Sequence, residues 1–128
     1  MNVEIWTMQM GTRHYAAREG IHLLDITVKT GIKAFAPDSR ALWRYKYNEI
    51  DATEYTRLYL ERMMYTQEKL PEAWNALDQH ERVGVACYCP SGDFCHRHLF
   101  VPLMENRLRA LGHEGKYMGE LKRPTPTP

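Results

Sequence analysis

The residue pattern predicts a three-layer α/β domain with a mostly parallel central sheet flanked by helices. Two nearly continuous apolar runs, Ile21–Val28 and Arg82–Cys89, have the composition of strands covered on both faces. Helical patterns separate and follow them, so the order is strand, strand, helices, strand, helix. Parallel strands need such crossover connections.

The opening strand is Val3-Glu4-Ile5-Trp6-Thr7-Met8, which roughly alternates apolar and polar residues. Residues 11–20 are polar and fit a loop or one short helix. Ile21–Val28 is the first buried-type strand, and it runs into an irregular segment containing Phe35-Ala36-Pro37-Asp38-Ser39. Asp51-Ala52-Thr53-Glu54 has the form of a capping box, opening a helix to about Thr66. Its apolar stripe is Tyr55, Leu58, Tyr59 and Met63. Pro71 suits the first turn of a second helix containing Trp74 and Leu77. After the strand Arg82–Cys89, the turn Pro90-Ser91-Gly92-Asp93 leads to a helix starting near Cys95 and stopping at Gly112. Pro102 lies inside that pattern and predicts a kink or a later start. The boundaries are one α/β domain over residues 1–121 and a disordered Pro/Thr tail over 122–128, with no repeats.

The 128 residues are 44% hydrophobic and 26% charged, with a formal net charge of +1. That charge creates no whole-molecule attraction to nucleic acid or to a membrane surface. No apolar run approaches a membrane span, and Met1-Asn2-Val3-Glu4 lacks the basic start of a signal peptide, so a cytoplasmic location is expected. All three cysteines fall between positions 87 and 95. A disulfide framework would spread an even number through the chain.

Three readings of that cluster stand side by side. Cysteines closing a buried strand can simply pack as small apolar groups. Cys87, Cys89 and Cys95 with His98 (or His96) form a C-x-C-x5-C-x2-H run that fits a compact zinc site. Alternatively, Cys95 or Cys89 is a nucleophile: a thiol at a helix N-terminus beside Arg97 has its pKa lowered. The same helix start, with the planar Arg97 fork, suits a phosphate or carboxylate. The phosphatase pattern Cys-x5-Arg is not met, because Cys95 stands where the arginine would be.

Cys87-Tyr88-Cys89 with Phe94-Cys95-His96-Arg97 resembles the uncharacterised family called domain of unknown function 488. Asp25-Ile26-Thr27-Val28-Lys29-Thr30-Gly31 with Phe35-Ala36-Pro37 resembles the D-x-T-V-K-S-G and F-A-P block of a phage-rich branch, and Tyr117-Met118-Gly119-Glu120 its closing Y-x-G-E. Thr30 replaces the branch's usual serine and keeps the hydroxyl. The resemblance implies a Rossmann-like domain and supplies no reaction.

On an extended strand, Asp25, Thr27 and Lys29 share one face. Either they form a buried polar network, or Lys29 binds an anion while Asp25 acts as a general base or hydroxyl ligand. Ser39 and Arg40 are further anion-contact candidates. Tyr55 and Tyr59, one helical turn apart, line either the core or a stacking wall for a base. Glu120 would hold a ribose hydroxyl, orient Arg97, or cap the last strand. Trp43-Arg44-Tyr45-Lys46-Tyr47 is a basic-aromatic run with two readings, a local contact with nucleic acid that the net charge does not support, or a solvated loop with aromatic anchors, the more usual case.

The expectation is a small enzyme for a phosphorylated, nucleoside-type or nucleic-acid base substrate. Asp25 and Cys95 do the chemistry; Thr27, Lys29, His96, Arg97, Tyr55, Tyr59 and Glu120 bind. No cofactor is called for unless the zinc reading holds. The alternative is a non-catalytic binding or phage–host interaction module, zinc-stabilised through Cys87, Cys89, Cys95 and His98.

Overall fold

The computed structural model describes residues 1–89 and 94–124. Within them lies one sheet of four parallel strands: β1 (Asn2–Gln9), β2 (His22–Asp25), β3 (Arg82–Cys87) and β4 (Glu114–Glu120), in the order β2-β3-β1-β4. The helices are α1 (Arg13–Arg18), α2 (Ser39–Lys46), α3 (Ala52–Lys69), α4 (Pro71–Asn75) and α5 (His96–Ala110). This is the expected Rossmann-like three-layer arrangement. Among the described residues, no helix is long and apolar enough to cross a membrane.

The layering follows from the handedness of crossovers. The chain steps from β1 past β3 to β2, then reverses direction for β3 and β4. Right-handed connections therefore put α1 on one face and α3, α4 and α5 on the other. Each face has its own core. Met8, Met10, Ala16, Ile21 and Ala86 pack under α1. The larger core joins Val3, Ile5, Leu24, Val83 and Val85 to Tyr59 and Met63 of α3, Trp74 of α4, and Phe100, Met104 and Leu108 of α5. Phe35 is its hub, edge-on to Trp74 at 5.0 Å and tilted against Phe100 at 4.9 Å. The indole edge there is satisfied: Trp74 Nε1 donates to Thr66 Oγ1 at 3.2 Å, and that hydroxyl donates to the Ala34 carbonyl at 2.7 Å.

The local signals read from the residues hold at α3, where the Asp51 carboxylate accepts the Glu54 amide at 2.8 Å. This helix runs past Thr66 to Lys69 and ends where Pro71 bars continuation. Residues 11–20 resolve into a short 3₁₀ turn followed by α1.

Three expectations need correction. The first buried strand does not reach Val28: β2 ends at Asp25, whose carboxylate turns the chain onto itself. The basic-aromatic run is not a loop but the C-terminal half of α2 with its C-cap Tyr47; the N-cap Asp38 accepts the Ala41 amide at 3.4 Å. α5 starts at His96 with Cys95 as its N-cap and continues through Pro102, which lies on the exposed face. The turn Pro90-Ser91-Gly92-Asp93 and tail residues 125–128 lie outside the described residues; 122–124 have no regular structure.

β4 carries an irregularity that bears on the site. Its register with β1 skips Met118, passing from Ile5↔Tyr117 to Trp6↔Gly119. Gly119 has φ +104°, a conformation that favours glycine. The bulge leaves the Tyr117 hydroxyl 2.7 Å from Thr7 Oγ1 and sends Glu120 back under α5.

Candidate functional site

β1 and β3 are neighbours whose outgoing connections take opposite faces of the sheet. Open parallel sheets leave a crevice beyond the carboxyl ends of such strands. β3 ends in Cys87, on the lip of that crevice, and Cys95 returns as the N-cap of α5. The Sγ atoms of Cys87, Cys89 and Cys95 all lie within 4.8 Å of one another. Cys87 and Cys95 form a sulfur–sulfur pair with their Cα atoms 7.9 Å apart. Both are buried, whereas Cys89 is partly exposed.

Cations approach this cluster from two sides. Arg97 is fully buried; its Nη1 donates to Cys87 Sγ at 2.8 Å and to the Cys89 carbonyl at 3.0 Å. Nε and Nη2 of the same guanidinium meet the two Glu120 oxygens at 3.3 and 3.0 Å. From α2, Lys46 Nζ lies 3.5 Å from Cys89 Sγ. His96 is buried with Nε2 at 2.8 Å from the Ile26 carbonyl and Nδ1 at 3.6 Å from Cys95 Sγ. Burial pushes its pKa down to about 4, with Arg97 and Lys46 acting in the same direction. The ring is therefore neutral, and because a carbonyl only accepts, Nε2 carries its proton.

Asp25 and Thr27 are hydrogen-bonded to each other. Asp25 Oδ1 accepts the Thr27 amide at 2.9 Å and the Thr27 hydroxyl at 2.7 Å, and Oδ2 accepts the Thr30 hydroxyl at 2.6 Å. The Ile32 amide closes back on the Asp25 carbonyl at 2.9 Å. This knot bends residues 27–30 away from the sheet, so Asp25 and Lys29 share no strand face. Gly31 is part of it: an added Cβ would meet the Thr27 amide nitrogen and lie 2.6 Å from the Asp25 carbonyl oxygen. The Tyr88 hydroxyl, 3.3 Å from Thr30 Oγ1, joins the knot to the segment after β3.

The knot and α2 wall a cleft of about 560 Å³ above the cysteines, lined by Thr27–Lys29, Leu42, Trp43, Lys46, Cys87–Cys89 and His96. Trp43 and Tyr88 are more than half exposed, at 55% and 58%. A broader groove of about 680 Å³ lies between α2 and α3 and includes Arg40, Arg44, Glu61 and Arg62. Two of its arginines are engaged: Arg62 donates to the Ala36 carbonyl at 2.9 Å, and Arg44 pairs with Glu49 at 3.8 Å. It contains no thiol and no imidazole.

The remaining candidates fall into place around this cleft. Lys29 lines it. Arg97 and Glu120 form an internal cross-link beneath it, so the arginine is not a free fork for a ligand anion. Tyr59 is core, its hydroxyl donating to the Phe35 carbonyl at 2.9 Å. Tyr55 is also buried, stacked on Tyr45 with ring centroids 4.9 Å apart, but its hydroxyl has no hydrogen-bond partner among the described residues. Desolvation pushes the Tyr55 pKa well up, with Cys89 adding to the effect. His98 is exposed on the first turn of α5. Arg40 lines the other groove, away from the cysteines. Trp43, Lys46 and Tyr88 are cleft residues that the residue pattern alone did not single out. The signal for the first two was present in the Asp38 cap and the basic-aromatic run, once read as a helix.

A family model described as the active DUF488-N3 subclade matches residues 5–108, which includes β1 through most of α5 and stops before β4. No curated protein and no solved structure matches the chain.

Proposed function

The chain belongs to the DUF488-N3 subclade, and on that footing we propose that it is a small enzyme binding a phosphorylated, nucleoside-type ligand in the cleft between the β2 knot and α2. One observation carries the reading: Lys29, Lys46, Trp43 and Tyr88 converge on a single cleft whose floor is the cysteine cluster. Two ammonium groups suit a phosphate, and two exposed rings suit the π-face of a base. Cys89, partly exposed beside the Lys46 ammonium, puts an accessible sulfur on that floor.

The roles shift relative to the residue-based expectation. Anion binding stays with Lys29 and passes from Arg97 to Lys46. Stacking passes from Tyr55 and Tyr59 to Trp43 and Tyr88. Asp25 becomes the residue that shapes the cleft wall, and Cys89 rather than Cys95 is the sulfur facing the ligand. A reducing cytoplasm would keep that sulfur available.

Calorimetric titration of the reduced protein with nucleosides and their mono-, di- and triphosphates tests the reading, alongside a turnover assay by chromatography. Binding that requires both base and phosphate supports it. Binding without turnover across the panel would instead favour the non-catalytic module.

A further inference from the structure

We propose that Cys87, Cys89 and Cys95, completed by Nδ1 of His96, bind one zinc ion. The inference stands on the cluster itself; with zinc bound, Cys89 is a metal thiolate on the cleft floor and no longer a free thiol.

Three sulfurs from two chain segments sit within 4.8 Å of one another. Thiolates at about 2.3 Å from a tetrahedral zinc lie about 3.8 Å from each other, inside that envelope; Cys87 and Cys95, whose sulfurs are in direct contact here, would part on reduction to reach it. The 7.9 Å between the Cα atoms of Cys87 and Cys95 exceeds the roughly 6.8 Å upper span of an ordinary disulfide. With the pair reduced, that span leaves room for an ion between the two sulfurs.

His96 is oriented as a ligand. Its Nε2–H donates to the Ile26 carbonyl at 2.8 Å, leaving the Nδ1 lone pair facing Cys95 Sγ at 3.6 Å. Metal-bound imidazoles characteristically donate their other ring N–H to a carbonyl or carboxylate. Nitrogen and sulfur ligands of one tetrahedral zinc are about 3.6 Å apart. His98, the spaced alternative, is exposed on the first turn of α5.

The surroundings match the charge such a site would have. Three thiolates around a divalent ion leave one net negative charge. Arg97 donates to Cys87 Sγ at 2.8 Å and Lys46 to Cys89 Sγ at 3.5 Å. The Tyr55 hydroxyl, buried without a partner among the described residues, shares a small cavity with Cys89, Cys95 and His96. Soft sulfur and imidazole donors select zinc over magnesium or calcium.

The test is metal analysis of the full chain, purified under reductant after growth with zinc, plus cobalt titration of the reduced apoprotein. The expected result is about one zinc per chain, with thiolate-to-cobalt charge-transfer bands. Cys89→Ser should lose the metal, His96→Gln should weaken it about tenfold or more, and His98→Gln should leave it unchanged. Cobalt spectra of the wild-type chain read the site even if the cysteine variants fail to fold. Less than about 0.1 zinc per chain after reconstitution, with no thiolate–cobalt band, would overturn the proposal. Unchanged affinity in His96→Gln would overturn the assignment of the fourth ligand.

Discussion

Arg97 and Glu120 are joined by two hydrogen bonds, at 3.3 and 3.0 Å, with the arginine side chain fully buried and the glutamate's 16% exposed. The pair ties the first turn of α5 to the end of β4, and the same guanidinium holds Cys87 and the Cys89 carbonyl. Removing the carboxylate takes two acceptors away from a buried guanidinium. Glu120→Ala is therefore expected to cost about 3 kcal/mol of unfolding free energy, read from urea titration. Glu120→Gln, which keeps one acceptor, should cost less. A loss below about 0.5 kcal/mol for the alanine variant would mean the pair does not hold this end of the sheet.

The Asp25 knot makes a second stability prediction. Its carboxylate accepts from three donors, and an amide in its place keeps only one acceptor oxygen. Asp25→Asn should destabilise the fold by about 1–3 kcal/mol. Gly31→Ala, whose Cβ would be driven into backbone atoms, should cost at least as much. Both are measured by chemical denaturation. An Asp25→Asn variant of native stability would return Asp25 to consideration as a reacting group.

Trp43 and Lys29 have the opposite expectation, because both are surface groups on the cleft. Trp43→Ala should weaken nucleotide affinity by about 1–3 kcal/mol, the usual loss of a base-stacking ring. Melting temperature should hardly move. Lys29→Ala should weaken binding of the phosphorylated ligand far more than of the free nucleoside, and the difference should shrink as salt is raised. Equal losses for both ligands would remove Lys29 from the phosphate site.

A pH effect is expected at the far end of the sheet. His22 stacks on His80 with ring centroids 3.6 Å apart, and burial, aided by the charge of His80, lowers the His22 pKa below its ordinary 6.5. The folded state thus binds this proton less readily than the unfolded chain. The stability it contributes is full above pH 6.5 and is lost as pH falls below that value. Urea midpoints should decline from about pH 7.5 to about pH 5.5, with a shallower slope in His80→Gln. An identical slope in that variant would exclude the pair as its source.

Much of this architecture was legible in the residues, and the exceptions have physical causes. The apolar run of β3, the Asp51 cap, Pro71 and the Gly112 stop of α5 are local signals, and each element formed within a few residues of its signal. The end of β2 was not legible, because periodicity cannot show that Asp25 spends its carboxylate on Thr27 and Thr30. α2 was hidden by aromatic residues that also suit loops; its cap, Asp38, is the better marker. The cysteine turn was found from spacing alone. The burial of Arg97 was not, since its partner Glu120 arrives from β4 only after the bulge at Gly119. A guanidinium beside a helix start reads as an anion site until that carboxylate is in place.

The most direct test of the cleft as the ligand site is amide chemical-shift mapping of the reduced, isotope-labelled protein during titration with nucleoside phosphates. The expected perturbations cluster at Thr27–Lys29, Leu42–Lys46 and Tyr88–Cys89, and saturate together. Shifts centred instead on Arg40 and Arg62, or none with any phosphorylated nucleoside, would contradict the account.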